Sequence, residues 1–384
     1  MDRFIATTPF FSADHRALAE RLAQFAEREV EVRAADDERD PDQSLRDYVL
    51  LLAENDLLRY AVATPGQPLD LRAFCIIREA LSYSSSLADL AFVIQGLGTY
   101  AISLAATEHV RDFWLARART GKAIAAFALT EPDAGSDVAA LKTVARREDD
   151  AYFIDGRKRF ISNAGVADFY TVFARTGARN DGRAEISAFI VSARMPGFSV
   201  SEKTQMIAPH PIGELEFKNC KVPAEDMIGE PGDGLRLSLQ TLDMFRASVG
   251  AAACGMARRA LDESLLHAKS REQFGKPLVG HQLVQGKLSD MITSLDAARL
   301  LVYRAAYLKD TGAGASTREA SQAKLFATES AGEIIDQAVQ IHGGTGLVRG
   351  TVVERLYRDA RALRIYEGTS EIQKLIVANQ LLKE

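Results

Sequence analysis

Few residues in this 384-residue chain stand in patterns that do chemistry, and each has a plainer reading beside it. Gln340-Ile341-His342-Gly343-Gly344-Thr345-Gly346 can bring backbone amides close to a phosphate. It can equally be a helix end with a glycine stop. Thr130-Glu131-Pro132-Asp133-Ala134-Gly135-Ser136-Asp137 is dense in turn residues and reads either as an ornate loop or as one wall of a ligand cradle. Asp89 interrupts the apolar run 87–93, where a carboxylate costs free energy unless it is paired or protonated. A cap or a salt-bridged surface residue is the alternative to a pocket carboxylate. The six histidines show no metal-ligand spacing, so no metal site is expected. The Gly-x-Ser-x-Gly of a serine hydrolase is missing, as are both common glycine-rich nucleotide fingerprints. These residues alone point to a cofactor or phosphate site and select no reaction.

The elements that must position them fall into three blocks. From 12 to about 120 the apolar residues recur at helical spacing, with Ser12 as a first cap. Helices are expected at 44–58, 71–82, 87–105 and 109–119, with a solvated charged break at 36–41. From about 122 the pattern turns to strands: 123–129, 169–174, 186–191 and 214–222, the last with Leu215 and Phe217 alternating against charged residues. Asp155-Gly156 between two short runs predicts a hairpin. Helix returns after Pro231-Gly232-Asp233-Gly234, with an apolar seam from Val284 to Ala305 and a break at 312–317. The expected domains are 1–121 (α), 122–232 (β) and 233–384 (α).

Composition sets bounds. Hydrophobic residues make up 47% and charged residues 26%, as in an ordinary globular protein, and the net charge is −5, which disfavours general nucleic-acid binding. Cys75, Cys220 and Cys254 form no disulfide framework, which fits a reducing cytosol. No uninterrupted apolar run of about 18 residues appears and the N-terminus lacks a signal-peptide pattern, so a cytoplasmic protein is expected.

Taken together and in order, five segments resemble the acyl-CoA dehydrogenase family. They are Leu129-Thr130-Glu131-Pro132-Asp133-Ala134-Gly135-Ser136-Asp137; Phe160-Ile161-Ser162-Asn163-Ala164; and Arg271-Glu272-Gln273-Phe274-Gly275-Lys276-Pro277-Leu278 with Gln282. Gln340 to Gly346 and Ile365-Tyr366-Glu367-Gly368-Thr369-Ser370-Glu371-Ile372-Gln373 complete the set. The resemblance implies an α+β chain: an N-terminal all-α domain, a middle β domain and a C-terminal four-helix bundle, usually assembled as a homotetramer of two dimers.

It also implies a reaction. An acyl-CoA is oxidised to its 2,3-enoyl form, Glu367 removing the α-proton while the β-hydrogen leaves as hydride to flavin N5. The Glu367 backbone N–H and a flavin ribityl hydroxyl would hold the thioester oxygen. FAD would lie against Phe127, Leu129, Thr130, Gly135, Ser136, Phe160 and Ser162, with Thr369 and Glu371 on the near side. Arg271, Gln273, Phe274, Gln282, Gln340, Gly343 and Gly344 would reach the neighbouring subunit's cofactor, an Arg suiting a pyrophosphate. Ser136, Asp89, Asp243, Phe245, Arg246, Tyr366 and Gly368 would line the acyl-CoA site, and electrons would pass to an electron-transferring flavoprotein.

Four departures bear on the substrate. Phe245 stands where some branched-chain relatives place their base, and its ring should narrow the pocket. Asp89, if it faces the acyl group, suits a small, cyclic or polar acyl group, as an extra base or as the partner of a cation. Met206-Ile207-Ala208-Pro209-His210-Pro211 and the short 61–68 loop replace typical family stretches. Acyl-CoA oxidase, flavin monooxygenase, nitroalkane oxidase, a DNA-binding alkylation-response protein and a catalytically silent member remain the rivals within this fold.

Overall fold

The computed structural model describes residues 2–178, 181–313 and 317–383. Helices α1 (Arg3–Thr7), α2 (Ala13–Phe25), α3 (Pro41–Glu54), α4 (Leu71–Ser84), α5 (Ser86–Ala105) and α6 (Glu108–Arg119) come first. Strands β1 (Ala125–Ala128), β2 (Val144–Glu148), β3 (Ala151–Ser162) and β4 (Phe169–Ala178) follow, then β5 (Ala184–Ser192), β6 (Phe198–Lys203), β7 (Ile212–Pro223) and β8 (Met227–Ile228). After α7 (Gly234–Ser270) comes a ribbon of β9 (Glu272–Gln273) and β10 (Lys276–Pro277). The chain ends with α8 (Gln282–Thr311), α9 (Thr317–His342), α10 (Val352–Arg361) and α11 (Ser370–Leu381).

This α, β, α order is the expected one, with local differences that have physical causes. Ser12 caps α2 by accepting from His15 N–H, as predicted. The charged break at 36–41 ends earlier than expected, because the Asp40 side chain accepts from Gln43 N–H and Pro41 opens α3, where its missing N–H costs nothing. Asp155-Gly156 is not a hairpin turn. Residues 151–162 form one strand, with a register irregularity between Ile154 and Gly156 where β3 pairs β7. Gly156 is required there, since a Cβ would sit 2.7 Å from the Thr143 Cα. Gly312 closes α8 with φ 65°, and residues 314–316 of the predicted break lie outside the described residues. Helix α5 is long and apolar enough by composition to cross a membrane, with mean hydropathy 1.4, but 78% of that stretch is buried inside the protein.

The chain packs as two units, one of Met1–Ala35, Asp70–Asp89 and Phe245–Glu384, the other of Asp36–Leu69 and Leu90–Met244. In the first, α9 packs against α8, α10 and α11, and α4 against α8. The seam read from the sequence is the packed face of α8: Leu288, Met291, Leu295, Ala298, Val302 and Ala305 are buried. Small residues on α7 let helices approach closely. A Cβ on Gly255 would lie 2.2 Å from the Glu79 carbonyl oxygen on α4.

The second unit is built on a sheet ordered β6-β7-β3-β2-β4-β5-β8, with β1 pairing β4 in parallel. Leu215 and Phe217 of β7 point inward, as the alternation predicts. Phe169, Phe173, Ile190 and Leu129 form the core with Ile102 of α5, and Trp114 of α6 packs on Phe169.

One buried pair fixes the loop that leaves β1. Lys158 on β3, fully buried, donates to the Leu129 carbonyl at 3.0 Å and to Glu131 Oε1 at 2.8 Å. Glu131 in turn accepts from the backbone N–H groups of Lys142 and Thr143, and Arg159 N–H donates to the Thr130 carbonyl. Burial pushes the Lys158 amine down to about 8, against the opposing pull of Glu131. Glu131→Ala strands a buried ammonium and should cost about 3–5 kcal/mol of stability. The double change Glu131→Leu with Lys158→Met should recover most of that in chemical denaturation. A double variant no better than the single one would show that the pair does not hold the loop.

Candidate active site

Glu367 lies on a tight turn between α10 and α11. It takes φ 52° and Gly368 takes φ 93°, so two consecutive residues are left-handed. Left-handed backbone is uncommon for a residue with a side chain and concentrates at functional sites. The residue is half-buried, yet its Oε2 is closed off from solvent and makes no hydrogen bond among the described residues. Burial raises the carboxyl above its ordinary range, opposed by Arg78, Lys324 and Arg246, while Asp89 pushes the same way as burial. An orphaned, desolvated carboxylate ringed by cations is poised to take a proton from something placed against it.

The surrounding helices supply that ring. Arg78 on α4 is fully buried and gives Nε to Asp89 Oδ1 at 2.8 Å and Nη2 to Oδ2 at 2.6 Å. Its Nη1 donates to Ser248 Oγ on α7 at 2.9 Å. Asp89 is therefore neither a surface residue nor a free pocket carboxylate, because both its oxygens are committed to Arg78. Tyr366 also meets Arg78, and burial pushes its phenol well above the usual range. Arg246 on α7 is buried and reaches Ser321 Oγ at 3.3 Å. Phe245 is fully buried against Phe74 with ring centroids 5.0 Å apart. Thr369 caps α11 by accepting from Ile372 N–H, and Glu371 is exposed in its first turn.

The remaining candidates of this unit lie on its surface. Residues Phe274 (φ 52°) and Gly275 (φ 77°) form a tight turn between β9 and β10, displaying a ring that is 94% exposed. Arg271, Gln273, Gln282, Gln340, Gly343 and Gly344 are exposed as well. At Gly275, Gly343 and Gly344 nothing lies within 4 Å of where a Cβ would stand.

The second unit holds the other group. Phe127 lies on β1 beside Phe173, Leu129 is buried at the strand end, and Thr130 is half-buried beyond it. Gly135 and Ser136 are on the exposed loop pinned by Glu131. Phe160 is 49% exposed with φ 54°, its ring under the Arg159 guanidinium. Asp243 is half-buried on α7, with Tyr100 as an electrostatic neighbour. Hydroxyls at Thr130, Ser136 and Ser162, flat rings at Phe127 and Phe160 and an open Gly135 suit a planar, hydrogen-bonding cofactor.

Two residues without a site role in the sequence reading also stand at these places, Arg78 beside Glu367 and His210 beside Ser162. Arg78 sits among buried residues of α4, and a charge on an apolar face was the one available signal. His210, noticed only as part of a departing stretch, has Nε2 2.8 Å from Ser162 Oγ. Burial pushes its imidazole down to about 4, so it is neutral at neutral pH. Asn163 N–H donates to the Pro211 carbonyl at 2.7 Å, fixing the same stretch on β3.

The ring around Glu367 carries a signed prediction. The groups that face it are Arg78, Asp89, Arg246, Lys324 and Tyr366. A carboxylate base is active only when ionised, so activity falls as pH drops through its pKa. Asp89→Asn removes an anion that raises that pKa and should move the acidic limb of the kcat profile to lower pH. Arg78→Met removes a cation and should move it to higher pH. Limbs that do not move, or move oppositely, would separate Glu367 from the acidic limb.

Comparison with known proteins matches this layout. Three consecutive domain families fit the chain: acyl-CoA dehydrogenase N-terminal domain at residues 12–122, middle domain at 126–220 and C-terminal domain at 232–382. FAD is the cofactor of that family. A 3-(aryl)acrylate reductase of Clostridium sporogenes is 39% identical over 383 residues, 97% of this chain and 100% of that protein. Cyclohexane-1-carbonyl-CoA dehydrogenase of Geobacter metallireducens is 36% identical over 312 residues, 81% of each. The solved butyryl-CoA dehydrogenase of Megasphaera elsdenii superposes with a TM-score of 0.89 at 33% identity, covering 97% of this chain and 99% of that one. A helical, β, helical chain with this run of matches is an oxidoreductase and belongs to the acyl-CoA dehydrogenase family.

Proposed function

We propose that the chain is an FAD-dependent dehydrogenase of acyl-CoA thioesters, with Glu367 as the base that takes the α-proton. The observation that carries this reading is the orphaned, desolvated Glu367 oxygen within a ring of three cations. Burial makes the carboxylate more basic, and the cations keep it ionised, so it can accept a proton from a weakly acidic carbon. The Glu367 backbone N–H is the donor to the thioester oxygen, stabilising the enolate as charge develops. Bound FAD supplies the acceptor for the β-hydride. As the family resemblance implies, Phe127, Leu129, Thr130, Gly135, Ser136, Phe160, Ser162, Thr369 and Glu371 would hold that cofactor, and Ser136, Asp243, Phe245, Arg246, Tyr366 and Gly368 would hold the thioester. The reduced enzyme passes its electrons to an electron-transferring flavoprotein.

The assignment of domains at 1–121, 122–232 and 233–384, a cytoplasmic location and a homotetramer belong to the same reading. The exposed rings and chains of Phe274, Leu283 and Leu347 support assembly, since water-exposed apolar groups of that size favour a covering partner. Arg271, Gln273, Gln282, Gln340, Gly343 and Gly344 then reach a neighbouring subunit's FAD.

For the substrate, we propose a short, cyclic or polar acyl group. Because Arg78 already balances Asp89, a cationic acyl group is unnecessary and Asp89 is not a second base. The relatives named for a 3-(aryl)acrylate and for cyclohexane-1-carbonyl-CoA support a ring-bearing acyl group. The test is anaerobic mixing of the yellow protein with butyryl to palmitoyl, isobutyryl, isovaleryl, glutaryl, cyclohexanecarboxyl, cyclohexenecarboxyl and 3-phenylpropionyl thioesters. Flavin bleaching should be fastest with short or ring-bearing acyl groups and slow by about 10²–10⁴-fold in Glu367→Gln. Bound FAD that no thioester bleaches would overturn the dehydrogenase reading.

A further inference from the structure

The left-handed turn that carries Glu367 does not stabilise itself, and two side chains outside the sequence motifs' expected roles hold it. Gln373, fully buried in the first turn of α11, donates Nε2 to the Glu367 carbonyl and to the Gly368 carbonyl, each at 3.1 Å. Lys324, fully buried on α9, donates Nζ to the same Gly368 carbonyl at 2.8 Å. The fit around the glycine is close: a Cβ on Gly368 would stand 2.4 Å from Gln373 Nε2. Gln373 is itself set by α11, where its N–H donates to the Thr369 carbonyl at 2.9 Å and the Thr369 side chain accepts from Ile372 N–H.

Burying a lysine amine is costly, and burial pushes this one down to about 8. Glu367, Glu329 and Glu371 favour its charged form and Arg246 opposes it. The amine nonetheless spends its bond on a backbone carbonyl of the turn. A charged donor holds a carbonyl more firmly than a neutral one, and donors from two different helices converge on the two carbonyls of the turn.

We propose that Lys324 and Gln373 are positioning residues that lock the Glu367–Gly368 turn and so aim the Glu367 carboxylate. This rests on the reading of Glu367 as the base. Neither residue touches the reacting atoms; each acts through the backbone of the residue that does, and Lys324 also places positive charge near its carboxylate. Misplacing a reacting group by about 1 Å can cost 10²-fold in rate, while substrate binding elsewhere in the site is untouched.

The test uses full-length, FAD-loaded protein with Gln373→Met, Gln373→Glu, Lys324→Met and Glu367→Gln. Flavin bleaching at saturating thioester reads the proton-abstraction step, and titration of flavin absorbance with the enoyl-CoA product reads binding. The two Met variants should bleach about 10²-fold more slowly with product affinity and FAD content unchanged. Gln373→Glu should be slower than Gln373→Met, because its carboxylate opposes two carbonyl oxygens, a difference that packing alone does not produce. Wild-type bleaching in the clamp variants beside a silent Glu367→Gln overturns this inference and leaves the base in place. Equal losses of rate, affinity and FAD content in every clamp variant overturn it too, as a general packing role. Normal bleaching by Glu367→Gln removes the base reading and the inference with it.

Discussion

A carboxylate withdrawn from water survives as an anion only where positive charge stands close by, and that constraint organises the unit around Glu367. Arg78, Arg246 and Lys324 supply the charge from three helices. Each cation then needs its own account. Arg78 is matched by both oxygens of Asp89 and by Ser248, and Arg246 reaches Ser321. So α4, α5, α7 and α9, whose other inward residues are mostly apolar, each carry a polar group near the buried Glu367 carboxylate. The Arg78–Asp89 pair contributes little net charge and much geometry, because a bidentate guanidinium–carboxylate contact fixes both side chains in one orientation.

The same device recurs in the β-containing unit with different residues. Lys158, buried on β3, bonds the Leu129 carbonyl and Glu131, just as Lys324 bonds the Gly368 carbonyl. In both places a buried ammonium pins irregular backbone next to residues proposed to meet cofactor or substrate, and burial brings both amines down to about 8. Irregular backbone has no ladder of its own, so its carbonyls need outside donors. A lysine reaching in from a strand or helix provides one and transfers the rigidity of that element to the loop. His210 does a smaller version of this, reaching Ser162 from a stretch held between two prolines.

The periodic parts of this fold were legible from the residues. The 284–305 seam became the packed face of α8, and the alternation at 214–217 became the inward face of β7, because burial repeats with the local geometry of helix and strand. Misreadings arose where one local signal has two outcomes. Asp155-Gly156 suits a two-residue turn, yet it also suits an irregularity in a long strand, and the crowding of Thr143 against Gly156 selects the second.

By itself the sequence determined the class of element at most positions, the order of helical and β blocks, and the motifs that mark the family. The partners were decided only in three dimensions. Nothing in the spacing of Arg78 and Asp89 distinguishes a buried pair from two separate charges, and Asp89 alone left base, cation partner and surface residue all open. His210 lies 48 residues from Ser162, and Lys324 44 residues from Gly368. Local periodicity records which side of an element is buried; it does not record what that side meets. The left-handed backbone of Glu367 likewise belongs to the packed state, in which donors from α9 and α11 converge on the Glu367 and Gly368 carbonyls.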